Sequence, residues 1–301
     1  MPRGKSKASL ALVDTAVEIL SEIQPATVRA VCYRLFTAGL IPDMRKRSTN
    51  KVGVQLVWAR EQGMLPWGWI VDETREAERA QQWASTDEII DAAVRGYRRD
   101  YWQDQPNWLE VWSEKGTVRG TLAPVLWKYG VTFRVMHGYG SATALHDIAS
   151  ESSRSDKPLT VFYVGDFDCS GMHMSEVDIP KRIQRYNGAA TIRRIALALE
   201  DVGTASDLPH FDADTKSGDS RYSWFVSRYG NRCWELDALS PVTLRQRVED
   251  AIADMIDADT WNRSLMVERA EVEAMQSYSE QLKRSISGQA SKYIAMQGAR
   301  P

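Results

Sequence analysis

Val161-Phe162-Tyr163-Val164-Gly165-Asp166-Phe167-Asp168 is the stretch that decides the fold. Its β-branched and aromatic residues have the composition of a buried strand, and the run stops in Asp-x-Asp. A second run, Leu109-Glu110-Val111-Trp112-Ser113-Glu114-Lys115, ends the same way and delivers Glu114 where an earlier strand stops. In open α/β sheets, ligands bind at the carboxyl ends of strands. Residues i and i+2 share a strand face, so Asp166 and Asp168 can converge if the chain stays extended. Three clustered carboxylates resist joint ionisation unless a cation sits among them. Hard oxygen ligands suit Mg²⁺, or Mn²⁺ in its place. Unrelated surface acids at strand ends are the competing reading of any single Asp-x-Asp.

Around these runs the pattern alternates. Strand 108–113, helix 118–129, strand 131–136, helix 141–150, strand 159–165, helix 172–186 and strand 191–198 predict a mostly parallel sheet flanked by helices. Residues 203–222, rich in Gly, Asp and Ser, read as an exposed, mobile loop. Residues 233–239 read as a further strand, Pro241 as a helix start, and 262–297 as a long charged helix.

The N-terminal part is different. Leu10, Val13, Val17 and Leu20 recur at helical spacing, and Thr27 is placed to cap a helix from Val28 to Ala38 that ends at Gly39. A basic loop over Pro42–Asn50, a helix from about Gly53 to Gln62 and a turn with a short extended element over 63–71 complete the order of a winged helix-turn-helix. The expected domains are therefore a winged-helix DNA-binding domain over 1–75, a helical connector over 76–107, an α/β metal-binding domain over 108–260 and a helical tail over 261–301.

Composition fits this plan. At 301 residues with 43% hydrophobic and 26% charged content, the chain can hold two globular cores. No apolar run reaches the roughly 18 residues of a membrane span, and the first residues lack a secretion signal's apolar core. Cys32, Cys169 and Cys233 are far apart and odd in number, which points away from a disulfide framework and towards a reducing cytoplasm. The net charge is −2, yet through residue 60 ten bases face four acids, a balance of +6. Such asymmetry is a footprint of nucleic-acid contact, with Arg34, Arg45, Lys46, Arg47, Lys51 and Lys115 as candidate phosphate ligands.

Arg29 and Tyr33 lie four residues apart and share a helix face. A tyrosine phenolate at neutral pH lies about three units, roughly 4 kcal/mol, uphill, a cost that a guanidinium or metal lowers. Spacing alone favours the plainer role, with Tyr33 packing the helical core and Arg29 touching a phosphate. Several other groups invite a functional reading that packing or solvation also explains. They are His210-x-Asp212-x-Asp214, His137, His173 and the Gly138-Tyr139-Gly140-Ser141 turn. Glu235 and Asp237 repeat the acid-x-acid spacing and could support the site; Glu110 is set apart from Glu114 along the strand.

Taken together, Glu114-Lys115 after a strand and Asp166-x-Asp168 resemble the Toprim metal-binding domain of topoisomerases and related nucleases. Val28-Arg29-Ala30-Val31-Cys32-Tyr33 is similar to the catalytic motif of topoisomerase VI A subunits and the meiotic double-strand-break transesterase. The resemblance covers roughly residues 20–260 and extends to the short stand-alone relatives sometimes called Mini-A. The family usually carries another aromatic before the nucleophile and an acid after the arginine; Cys32 and Ala30 stand there in this chain.

What the resemblance implies is Mg²⁺-dependent cleavage of double-stranded DNA by a homodimer. Tyr33 would be the nucleophile, Arg29 the phosphate ligand, and Glu114, Asp166 and Asp168 the metal ligands. Any strand passage would need a separate ATPase subunit, and the location would be cytoplasmic, at the nucleoid. A hydrolytic Toprim nuclease with Tyr33 structural and a non-catalytic DNA-binding protein are the alternatives.

Overall fold

Ser6 accepts from the backbone N–H of Ser9 and starts α1 (Lys7–Ile23), whose inward face is Val13, Ala16, Leu20 and Ile23. Thr27 caps α2 (Val28–Thr37) by accepting from Ala30 N at 3.1 Å. These helices share a core with α3 (Lys46–Glu61) in which Val31, Leu35, Val52 and Leu56 are buried. The computed structural model describes residues 5–70, 82–136, 142–202 and 208–298.

α3 begins earlier than the sequence suggests. Asp43 Oδ1 accepts from Arg45 N at 3.1 Å and from Ser48 Oγ at 2.7 Å, bracing the turn into α3, so the second half of the polar stretch read as a basic loop is helix. Lys46, Arg47 and Lys51 consequently lie on α3 and are exposed, as are Arg45 just before it and Arg34 on α2. After α3 the described residues form a one-turn helix, Trp67–Trp69, and a single parallel bridge between Ala26 and Ile70. Val71, the end of the expected extended element, lies outside the described residues.

The α/β part is a four-stranded parallel sheet of order β2-β1-β3-β4, built from β1 (Trp108–Ser113), β2 (Thr132–Val135), β3 (Leu159–Val164) and β4 (Thr191–Ala196). Every residue of β3 is buried, as expected of a central strand covered on both faces. Flanking helices are α5 (Arg119–Tyr129), α6 (Ala142–Arg154), the continuous run α7 (Cys169–His173), a π-helical turn Met174–Asp178 and α8 (Ile179–Arg185), then α9 (Leu199–Val202). One face of the sheet packs Trp112, Val161 and Tyr163 against Leu145, Ile148, Ile179 and Ile183. Inside this core Glu110 is 2% exposed; Arg134 meets it through Nε at 2.8 Å and Nη2 at 2.7 Å, and Trp112 Nε1 donates to it at 2.5 Å.

Residues beyond 208 are more regular than the expected loop. β5 (Phe211–Asp212) pairs antiparallel with β6 (Arg232–Cys233), and between them lie a short helical turn, Ala213–Lys216, and α10 (Tyr222–Tyr229). The ordering force is aromatic: Phe225, Tyr229 and Trp234 set their rings 5.4 to 5.9 Å from Phe167, edge to face. Residues 203–207 of that stretch lie outside the described residues. The expected strand over 233–239 ends at Cys233 and gives way to a helical turn, Leu236–Ala238, before α11 (Pro241–Ala253).

The chain divides into two compact units, residues 1–75 with 106–255 and residues 76–105 with 256–301. In the second, α4 (Thr86–Gly96) packs along α12 (Ala258–Gly298), which starts four residues ahead of the expected tail helix. Tyr97 Oη donates to Glu271 at 2.5 Å, Lys283 pairs with Asp91, and Gln105 Oε1 accepts from Asp257 N at 2.8 Å. Among the described residues no helix is long and apolar enough to cross a membrane.

Thr27 links the helical part to the α/β part: besides capping α2, its hydroxyl donates to Asp237 Oδ1 at 3.2 Å. Thr27→Val should cost about 1–2 kcal/mol and Thr27→Ser a few tenths, read as the difference in thermal unfolding. Equal losses in the two variants would show that the hydroxyl is not what matters.

Candidate functional site

At the carboxyl ends of β1 and β3 an open cleft of about 740 Å³ is lined by Glu114, Lys115, Asp166, Asp168, Lys216, Glu235, Asp237 and Arg29. Glu114 and Lys115 follow β1 directly, and Asp166 and Asp168 follow its parallel neighbour β3 after Gly165. The structure thus brings the three sequence-selected acids to one cleft.

Local geometry fixes each carboxylate. Asp166 Oδ1 accepts from Leu236 N at 2.7 Å and pairs with Lys115 Nζ at 2.8 Å. Asp168 keeps an extended backbone (φ −148°, ψ −179°), the condition for sharing a face with Asp166. Its Oδ1 caps α7 by accepting from Gly171 N at 2.8 Å, and its Oδ2 accepts from the Lys216 ammonium. Gly171 is required there, because a Cβ would lie 2.3 Å from the Asp166 carbonyl oxygen. Beneath the turn, Arg194 donates to the carbonyls of Gly165 at 2.9 Å, Leu197 at 3.0 Å and Gly171 at 2.6 Å, and to Ser175 Oγ at 3.1 Å. A planar five-donor guanidinium suits that task.

The electrostatics follow from crowding. Burial, then the neighbouring Asp168 and Asp166 carboxylates, push the Glu114 carboxyl above its ordinary range. Burial lowers the Lys115 ammonium, but Asp166, Asp237 and Glu235 outweigh it and hold the group well above the usual lysine value. Among the described residues no three His, Cys, Asp or Glu side chains are grouped closely enough to hold a metal ion. In this arrangement the countercharges are the two ammonium groups, Lys115 on Asp166 and Lys216 on Asp168. The donors themselves are hard carboxylate oxygens on neighbouring strands, the ligand chemistry that Mg²⁺ and Mn²⁺ take.

Arg29 reaches this cleft from α2 and forms a bidentate pair with Glu235. Tyr33 does not line the cleft. It is 5% exposed and faces an adjoining cavity of about 290 Å³ that shares Arg29 and Glu235 with the cleft and is also lined by Asp43, Arg45 and His210, its ring centre 5.8 Å from the Arg29 guanidinium. Burial, with Glu235 adding to it, pushes the phenol well above its ordinary value.

The other sequence candidates separate cleanly. Glu235 and Asp237 belong to the cleft, Asp237 accepting from Lys115 Nζ at 3.3 Å. His210 lies tilted against Trp234, 5.6 Å between ring centres, and Asp214 accepts from Tyr222 Oη and from Asn231 Nδ2 at 3.2 Å. His173 stands edge-on to Trp224, and burial lowers its imidazole. His137 and the Gly138–Ser141 turn lie outside the described residues. Lys216 and Arg194 carry no mark in the sequence reading. Lys216 gives no local signal, whereas a basic pair, Arg193-Arg194, inside a strand of a covered sheet is a signal that something buried needs a cation.

No protein-family model, no curated protein and no solved structure matches this chain.

Proposed function

We propose that this chain is a DNA-binding, Mg²⁺-dependent DNA-cleaving protein of the topoisomerase VI A type, its N-terminal helices acting as a winged-helix module and its α/β part as a Toprim domain. The observation that carries the reading is the cleft itself: Glu114, Asp166 and Asp168, delivered by adjacent parallel strands, share it with Arg29 of α2. Glu114, Asp166 and Asp168, not drawn together in the lysine-paired arrangement described above, would have to converge to hold the Mg²⁺, with Mn²⁺ as substitute. When bound, it would neutralise charge that builds on the phosphate oxygens. Lys115 and Arg29, the cations beside these acids, would receive a phosphate at the expense of the carboxylates they now pair with. The exposed bases Arg34, Arg45, Lys46, Arg47 and Lys51 would track the duplex backbone, contacts that supply affinity and salt dependence rather than sequence choice.

In the transesterase form of this reading, Tyr33 Oη gives up its proton and bonds to phosphorus, the bond from phosphorus to the 3′ oxygen breaks, and that oxygen takes up a proton to leave as the 3′ hydroxyl, so that no proton is gained or lost overall. A homodimer on double-stranded DNA, a separate ATPase subunit for any strand passage and a nucleoid location in the cytoplasm complete the proposal. One observation favours a second form, hydrolytic cleavage with Tyr33 structural. Tyr33 is buried outside the cleft, and its Arg29 neighbour is taken by Glu235.

A denaturing trap on supercoiled DNA with Mg²⁺ or Mn²⁺ separates the two. Transesterification predicts DNA that stays protein-linked until proteolysis, and its loss in Tyr33→Phe. Free ends that persist in Tyr33→Phe identify the hydrolytic nuclease. Metal-independent DNA binding without any nicking would point to a binding protein instead.

A further inference from the structure

The cleft carries five carboxylates, from Glu114, Asp166, Asp168, Glu235 and Asp237, against three cations, from Arg29, Lys115 and Lys216. Its formal balance is therefore −2, the charge one divalent ion would cancel. The cations are not equivalent. Lys115 follows β1 directly and touches three carboxylates, Asp166 at 2.8 Å, Asp237 at 3.3 Å and Glu235 at 3.9 Å. Arg29 is anchored in α2. Lys216 ends the short Ala213–Lys216 turn, remains 37% exposed along its side chain, and pairs with Asp168, which is only 4% exposed. Its ammonium also lies 5.3 Å from the centre of the Phe211 ring, a contact that would remain available if the carboxylate were taken by another cation.

We propose that Lys216 is a tethered counter-cation: its ammonium holds Asp168 when no divalent ion is bound and yields that carboxylate when one enters. The inference rests on the metal-binding reading above. A buried carboxylate without a cation is costly, so a tethered ammonium keeps the metal-free cleft folded. The same group must then be displaced before Asp168 can ligate, so it competes with the ion and weakens its binding. Once released, Lys216 stands at the cleft mouth as a positive charge free for a phosphate.

Mn²⁺ binding to the full-length protein without DNA, followed by electron paramagnetic resonance of the free ion, tests this on wild type, Lys216→Met and Asp166→Ala. Lys216→Met should bind Mn²⁺ about fivefold more tightly, the scale of one partly exposed ion pair. The thermal stabilisation that saturating Mn²⁺ gives should also be larger in Lys216→Met than in wild type, a comparison internal to each protein and valid even if the variant is less stable without metal. Wild type that binds Mn²⁺ through Asp166, with Lys216→Met binding it equally or more weakly, overturns the counter-cation role alone. Wild type with no Asp166-dependent Mn²⁺ binding overturns the metal reading, and the role of Lys216 with it.

Discussion

On the proposed reading, replacing Asp166 by Asn should lower Mg²⁺-dependent DNA cleavage about a thousandfold while leaving thermal stability within about 1 kcal/mol of wild type or slightly above it. Asn keeps an oxygen to accept from Leu236 N, the 2.7 Å contact that shapes the turn, and removes only the charge. Lys115 loses one carboxylate but retains Asp237 at 3.3 Å and Glu235 at 3.9 Å. Glu114 is relieved of one of the two carboxylates that push its own carboxyl up. Repulsion among like charges is a cost that a folded protein keeps only where chemistry uses it. Activity and stability should therefore move apart, and paired measurement of nicking rate and melting temperature checks both. Cleavage that survives Asp166→Asn at more than a tenth of the wild-type rate would sink the assignment of this acid.

The second large effect concerns the sheet rather than the cleft. Arg134→Met should destabilise the protein by about 3 kcal/mol, because it strands the Glu110 carboxylate, 2% exposed, in a core built around Trp112. Pairing it with Glu110→Gln should recover at least half of the loss, since an amide needs no counter-charge. Urea denaturation followed by tryptophan fluorescence reads this, Trp112 Nε1 being bonded to the same carboxylate. A loss below about 1 kcal/mol in the single variant would mean that water reaches Glu110 and that the pair is dispensable.

How far these features can be read from residues alone depends on whether their cause is local. The apolar run Leu159–Val164 announces a covered strand because all six of its residues are buried, and the alternation of strands with helices then dictates parallel order. The acids at the strand ends follow from the same periodicity. The start of α3 was hidden because the Asp43–Ser48 side-chain pair that braces it has the composition of a loop. The ordering of residues 208–234 was hidden for a different reason: Phe167, the ring that gathers Phe225, Tyr229 and Trp234, lies far earlier in the sequence. Lys216 meets Asp168 across 48 residues, and Arg29 meets Glu235 across 206. Pairings of that range leave no trace in spacing. Where Tyr33 lies relative to the cleft likewise depends on Pro209, His210, Phe211 and Glu235, far from α2 in sequence, which no helical pattern in residues 28–37 encodes.

The pairing of α4 with α12 has a consequence during synthesis. Gln105 must wait for Asp257, 152 residues later, and Asp91 for Lys283, 192 residues later. At ordinary translation speeds that is a delay of roughly 8–40 s, during which Ile90 and Val94 of α4 have been made but the Met275 and Leu282 that line the same groove have not. For that interval the nascent chain holds the amphipathic α4, none of whose residues is fully buried even after folding, without its partner helix. The chain's yield on expression should depend on elongation rate more than its final stability does.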